Sequence, residues 1–339
     1  MCNIAGYVGT KTAAPILLEM MKREEGFAGG YYTGLATIHE GKLHWRKVIG
    51  TVKDLLEQTD AASLPGTIGI IHSRSKSGGD AEWGHPFVDP AESFAYVANG
   101  TVGRFQNTPA LSEAAAKLYA DGWRFRSSNP DLPHYPACAP GQHVHVSEVM
   151  CFLIDACKRR GLDPGEAMAD VFCNYPAEIV GLTVDTACPD RINAARINMP
   201  MMVGSADDGT YLASTAMAFP EGVAFQNIYS IPVNSSAEVF ANHVNIMPFT
   251  HPAAPVAELL PMEKAFNAVR TRLTEGPAKL GELIRVVKPL FGDIVCPADH
   301  LTYEVLRTLK QEGAVFFTEK ETEGAAPDVI QHTFIANLA

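Results

Sequence analysis

The sequence predicts an α+β protein in which two mostly antiparallel sheets are accompanied by helices and followed by a small helical unit. Three observations predict it. Strand-like apolar runs alternate with amphipathic helical stretches over residues 1–176. From residue 177 to about residue 244 short strand-like runs succeed one another, and beyond residue 261 three helical stretches precede two strands. With 339 residues, 47% hydrophobic and 19% charged, the chain can bury one large core and a smaller one. A formal charge of −11 argues against general binding to nucleic acid or to an anionic membrane. Seven cysteines without a C-x-x-C pair fit neither a disulfide framework nor a zinc ribbon, so a reducing cytoplasm is the expected location. The first residues lack the features of a secretory signal, and no window has 18 consecutive apolar residues.

Taken in order, residues 4–9 read as a buried, glycine-punctuated strand, and residues 13–23 as an amphipathic helix entered through Thr12 and Pro15. Residues 31–38 and 42–49 form a predicted hairpin around His39, Glu40 and Gly41, and residues 52–58 a short helix. A strand over 67–73 launches a polar loop, Arg74 to Asp80, which leads to His85-Pro86-Phe87. The strand over 94–98 ends in Asn99-Gly100, which standing alone signals a type I′ turn. A helix over 111–120 is closed by Gly122, and the proline-bearing segment 127–142 is an ordered excursion. Ser147 is the expected cap of a helix running to residue 160, and Asp163-Pro164 opens another. Strands are then expected over 178–184, 194–203, 210–214, 223–231 and 237–244, with Asp207-Asp208-Gly209 as a turn. The predicted domains are residues 1–247 and 262–339, joined by a linker over 248–261 rich in Pro and Ala. Helices over 262–273, 278–289 and 301–312 followed by strands over 314–319 and 328–335 give the second domain the order of a winged-helix-like unit. Its third helix is only modestly charged, so protein–protein docking or dimerisation is favoured over reading DNA.

The stretch Met1-Cys2-Asn3-Ile4-Ala5-Gly6 carries the first chemical signal. A small residue behind the initiator methionine eases its removal, and an N-terminal cysteine then holds nucleophile and base on one residue. Its thiol attacks, and an α-amine of ordinary pKa about 8 takes the proton. The plain alternative is a strand that begins early and contains a cysteine. His134, His143 and His145 suggest metal ligands, but no Cys or carboxylate stands at a matching spacing. No cofactor or metal is therefore expected.

Cys2-Asn3-Ile4-Ala5-Gly6, His72-Ser73-Arg74, His85-Pro86-Phe87 and Asn99-Gly100 occur in an order that resembles the glutaminase domain of class II glutamine amidotransferases. These belong to the N-terminal-nucleophile (Ntn) hydrolases, and the resemblance runs over roughly residues 2 to 245. It implies a four-layer αββα sandwich. It further implies Cys2 as nucleophile, Asn99 and Gly100 as oxyanion donors, and Arg74 as the group that holds the α-carboxylate of glutamine. Ser77, His85 and Glu148 complete the expected substrate-binding set. The family's Arg-Gly-x-Asp-Ser-x-Gly segment is represented by Gly29-Gly30-Tyr31-Tyr32-Thr33-Gly34, which lacks the arginine. The aspartate that receives the substrate amine is replaced at the nearest match by Val146, before Ser147-Glu148, so Glu148 or Asp131 is the expected substitute.

The resulting expectation is a glutaminase whose substrate is glutamine or a related amide and whose ammonia passes to a separate synthase subunit. The homo-oligomeric state is left open. The alternatives are an Ntn hydrolase of another amide and a non-catalytic sensor on the same scaffold.

Overall fold

The computed structural model describes residues 2–76, 78–100, 109–176, 179–252, 260–292, 298–323 and 330–339. The chain opens with β1 (Asn3–Gly9), α1 (Ala13–Glu24), the hairpin β2 (Tyr32–His39) and β3 (Lys42–Ile49), α2 (Val52–Gln58) and β4 (Ile68–Arg74). Positive φ at Glu40 and Gly41 lets a two-residue turn close the hairpin. A capping box between Thr51 and Asp54 starts α2. The strands β5 (Phe87–Val88) and β6 (Phe94–Gly100) precede α3 (Pro109–Ala120), the small ribbon β7 (Ala137–Ala139) and β8 (Gln142–His143), α4 (Val146–Arg159) and α5 (Pro164–Asn174). His145, through its ring Nδ1, caps α4 in place of the expected Ser147. The β-rich stretch supplies β9 (Ile179–Asp185), β10 (Arg191–Arg196), β11 (Met202–Ala206), β12 (Gly209–Ala213), β13 (Phe225–Ser230), β14 (Ser235–Phe240) and β15 (Val244–Pro248).

These strands make two sheets. The first has the order β13-β11-β12-β1-β4-β2-β3, the second β15-β14-β10-β9-β6-β5, and the pairings are antiparallel. One core lies between them, built from Ile4, Val8, Ile70, Val97, Leu182, Ile192, Leu212 and their neighbours. A second core packs α1 and α2 on the outer face of the first sheet, and a third packs α3, α4 and α5 on the outer face of the second. The result is the four-layer αββα sandwich.

Two expectations change. The single strand expected over 194–203 is two strands, because the chain leaves the second sheet after Arg196 and enters the first at Met202, with Pro200 in the crossing. A period of two marks both halves as strand, but it carries no sign of a change of sheet. Asn99-Gly100 makes no turn either: both residues lie within β6, opposite Val180 and Ile179 of β9.

Beyond the sandwich come α6 (Met262–Thr274), β16 (Ala278–Lys279), α7 (Leu280–Val287), α8 (Ala298–Gln311), β17 (Val315–Glu323) and β18 (Ile330–Leu338). The three strands form a separate sheet of order β16-β18-β17. This unit has its own core, including Val269, Leu283, Leu301, Leu306 and Leu309, and Phe27 and Met217 of the sandwich pack against it. Among the described residues no helix is long and apolar enough to cross a membrane.

Candidate active site

Side chains alternate across a strand, so membership of the inter-sheet core fixes which way the strand ends point. Ile4 and Val8 of β1 lie in that core, which turns Cys2 the same way. By the same rule Ile68 and Ile70 carry His72 and Arg74, Ala95 and Val97 carry Asn99, and Leu212 carries Ser214. Register brings these ends together: Asn3 faces Ser73 across β1 and β4, and Ala5 faces Ala213 across β1 and β12.

Hydrogen bonds join the two sheets at this end. Ser214 Oγ accepts from Ile4 N at 3.0 Å and from Asn99 Nδ2 at 3.1 Å, tying the strand of Cys2 to Asn99. His72 Nε2 donates to Ala98 O at 2.9 Å, tying the strand of Arg74 to the same place. Ser75 N donates to Cys2 Sγ at 3.4 Å and orients the sulfur. Asn99 is 1% exposed, and its Oδ1 has no hydrogen-bond partner among the described residues.

Arg74 is 2% exposed and wrapped by the loop that follows it. Its Nη1 donates to Trp83 O at 2.9 Å and to Gly78 O at 3.3 Å, and its guanidinium carbon stands 4.9 Å from the Tyr32 ring centroid. Behind it, the rings of His72 and His85 are 3.9 Å apart, and His145 lies 5.5 Å from His85 and stacks on Phe87. Burial, with Arg74 nearby, pushes His72 down to about 3 and holds His85 and His145 well below the usual histidine range. The histidines are therefore neutral near pH 7, and Arg74 contributes positive charge against uncharged rings.

The expected site residues thus divide. Cys2, Arg74, Asn99 and Gly100 converge on one end of the sandwich, with Gly100 as the exposed last residue of β6. Ser77 lies outside the described residues. His85 is 2% exposed, with its ring 3.9 Å from that of His72. Glu148's carboxyl oxygens accept from Arg126 N at 2.8 Å, Ser127 N at 2.9 Å and Ser127 Oγ at 2.5 Å. It fastens the 126–127 turn to α4. Asp131 is exposed. The three histidines weighed as metal ligands separate: His134 is exposed against Tyr135, His143 donates from Nδ1 to Tyr135 O, and His145 caps α4.

Reasoning from sequence missed Ser214, whose only signal was its place at the end of a strand. It also missed Glu24, which is fully buried beside Asn3 with no side-chain partner for either oxygen among the described residues. Burial raises the pKa of Glu24 well above the usual carboxylate range.

No protein-family model matches the chain. In sequence it is similar to glutamine–fructose-6-phosphate aminotransferases: 30% identical to that of Bacteroides thetaiotaomicron over 228 residues, covering 65% of this chain and 33% of the relative. It is 28% identical to that of Pyrococcus horikoshii over 223 residues, covering 65% and 33%. The chain thus matches about a third of the length of these relatives. In fold it is similar to glutamine phosphoribosylpyrophosphate amidotransferase from B. subtilis, with a TM-score of 0.59 at 14% identity, covering 94% of this chain and 66% of the other. It matches an allosteric regulatory enzyme of purine biosynthesis at the same TM-score and 15% identity, covering 90% and 63%. Shared sequence over about two thirds of the chain and the shared sandwich together support a class II glutamine amidotransferase domain.

Proposed function

We propose that this chain hydrolyses the carboxamide of glutamine to glutamate and ammonia through a thioester on Cys2, and that a synthase on another polypeptide consumes the ammonia. The observation that carries the reading is Ser214, which fastens the strand of the nucleophile and the side chain of Asn99 to one oxygen. Nucleophile and oxyanion donor must keep a fixed relation through the reaction, and a shared buried anchor provides that.

With Met1 removed, the Cys2 α-amine takes the thiol proton as Sγ attacks the amide carbon. Asn99 Nδ2 and the Gly100 N–H stabilise the oxyanion. Collapse breaks the C–N bond, the amine returns its proton to the departing ammonia, and water then cleaves the thioester. Arg74, whose Nη1 donates to the backbone carbonyls of Gly78 and Trp83, holds the substrate's α-carboxylate through its guanidinium. The scheme uses no metal or cofactor. All six described cysteines are unpaired thiols, which fits a reducing compartment. Residues 262–339 are the surface we assign to the synthase.

A second reading, hydrolysis of a different carboxamide, is favoured by Glu148, the carboxylate expected for the substrate amine, which is engaged with the 126–127 turn. One experiment decides. Protein with Met1 shown by mass to be absent should release ammonia from glutamine and carry a glutamyl adduct on Cys2 when quenched, and Cys2→Ala should do neither. Absence of ammonia and of adduct with glutamine ends the first reading, and an adduct of another acyl group from an amide panel establishes the second.

A further inference from the structure

Asn3 follows the nucleophile directly and points away from it, towards α1 with Ala5 and Tyr7. It is fully buried, and its amide is fully engaged. Nδ2 donates to Glu24 O at 2.5 Å and to Ala28 O at 2.8 Å, and Oδ1 accepts from the Tyr303 hydroxyl at 3.4 Å. Tyr303 belongs to α8 of the C-terminal unit. Its hydroxyl is the longest of the three contacts, and the other two come from the last residue of α1 and from the segment that follows it.

That segment is itself gripped by the C-terminal unit. Phe27 stands edge-on to Tyr303, Phe317 and Phe334, at centroid distances of 5.8, 5.0 and 4.9 Å. Gly26 O accepts from Phe334 N at 2.7 Å, and Gly29 O accepts from Gln331 Nε2 at 2.5 Å. A Cβ on Gly26 would lie 2.5 Å from the Phe334 ring, so the absence of a side chain there is what admits the contact. Burial, with Glu24 nearby, pushes the Tyr303 hydroxyl well above its usual range, so it stays a neutral donor.

A residue that begins a mature chain is held covalently on one side only. Where Cys2 sits then depends, besides the Ser75 N–H on its sulfur, on what holds Asn3. We propose that the C-terminal unit is part of the amide-cleaving apparatus, with Tyr303 as a positioning residue that fixes Asn3 and, through it, Cys2. The inference rests on the reading of Cys2 as the nucleophile.

Tyr303→Phe in the full chain keeps the ring and removes the hydroxyl. For one neutral hydrogen bond the expected loss in kcat for ammonia release from glutamine is about three- to tenfold, with KM unchanged. In an Asn3→Ala background the same change should have no further effect. Wild-type kcat in Tyr303→Phe overturns the proposal, and so does a fully additive loss in the double variant. If the unaltered protein releases no ammonia from glutamine, the glutaminase reading fails separately. The proposal is then decided by the rate at which iodoacetamide alkylates Cys2, located by peptide mass: a changed rate in Tyr303→Phe supports it and an equal rate overturns it. Should Tyr303→Phe not fold, Phe27→Leu takes its place. It thins the aromatic contact without touching Asn3, and it should lower the same rates, unchanged rates again overturning the proposal.

Discussion

Replacing Ser214 by alanine should damage both stability and turnover, and the structure gives the size of each effect. Ser214 is 2% exposed, and its Oγ accepts from Ile4 N at 3.0 Å and from Asn99 Nδ2 at 3.1 Å. Loss of the oxygen leaves the Ile4 N–H buried without that partner, which costs about 1–3 kcal/mol, and releases one of the two N–H groups of Asn99. Loss of an entire oxyanion donor typically lowers the rate by about 10²- to 10³-fold. Here the donor remains but loses its anchor, so the expected fall in kcat is smaller, about 10- to 100-fold, with little change in KM. Ser214→Thr retains the hydroxyl and should recover most of the rate. The assay is ammonia release from glutamine by the processed protein, paired with urea unfolding. A Ser214→Ala protein that turns over at the wild-type rate would refute the idea that this oxygen aligns nucleophile and oxyanion donor.

Arg74→Lys should raise KM for glutamine by about 100-fold while changing kcat much less, because a lysine cannot bond two loop carbonyls, lie over Tyr32 and present a fork to a carboxylate at once. Steady-state kinetics check it, and an unchanged KM would remove Arg74 from the substrate site. Stability should respond to pH in two opposed ways. The native state keeps His72 and His300, both pushed down to about 3 by burial, and His85 and His145 uncharged, whereas the unfolded chain protonates them near 6.5. Their contribution is complete above about 6.5 and is lost as pH falls towards 3, at about 1.4 kcal/mol per pH unit for each histidine. Buried Glu24, Glu25 (pushed up to about 8) and Glu148 act in the other direction, contributing fully below about 4.5 and losing that contribution as pH rises through their native values. Between about 4.5 and 6.5 the two sets oppose each other, four histidines against three carboxylates, so urea unfolding should show stability rising only about 1.4 kcal/mol per pH unit there, falling steeply below that window and falling again above it towards pH 8. Stability that climbs steadily from pH 5 to pH 8 would contradict this balance.

Much of the scaffold was legible because strands and helices advertise themselves through local spacing. The 52–58 helix carries its capping box in Thr51 and Asp54, and the 32–49 hairpin carries its turn in Glu40-Gly41. Asn99-Gly100 shows where local spacing misleads. The pair has the chemistry of a turn, but β9, some 80 residues later, takes it as strand, since pairing with Val180 and Ile179 satisfies a buried backbone that a turn would leave exposed. Glu148 shows the same limit for a site residue. Its carboxyl type was readable, whereas its partners, Arg126 and Ser127, are set by how the 127–142 excursion folds back on α4.

The sequence by itself determined the αββα class, the chain order of Cys2, Arg74 and Asn99-Gly100, and, through the period of two, the face of each strand on which those side chains lie. Only the tertiary structure decided which strands are neighbours. Ser214 reaches Ile4 across 210 positions and Tyr303 reaches Asn3 across 300, contacts set by sheet order and by the seating of one unit on another. The physical reason is that periodicity records which way a residue faces, whereas the group it meets there depends on the packing of whole layers.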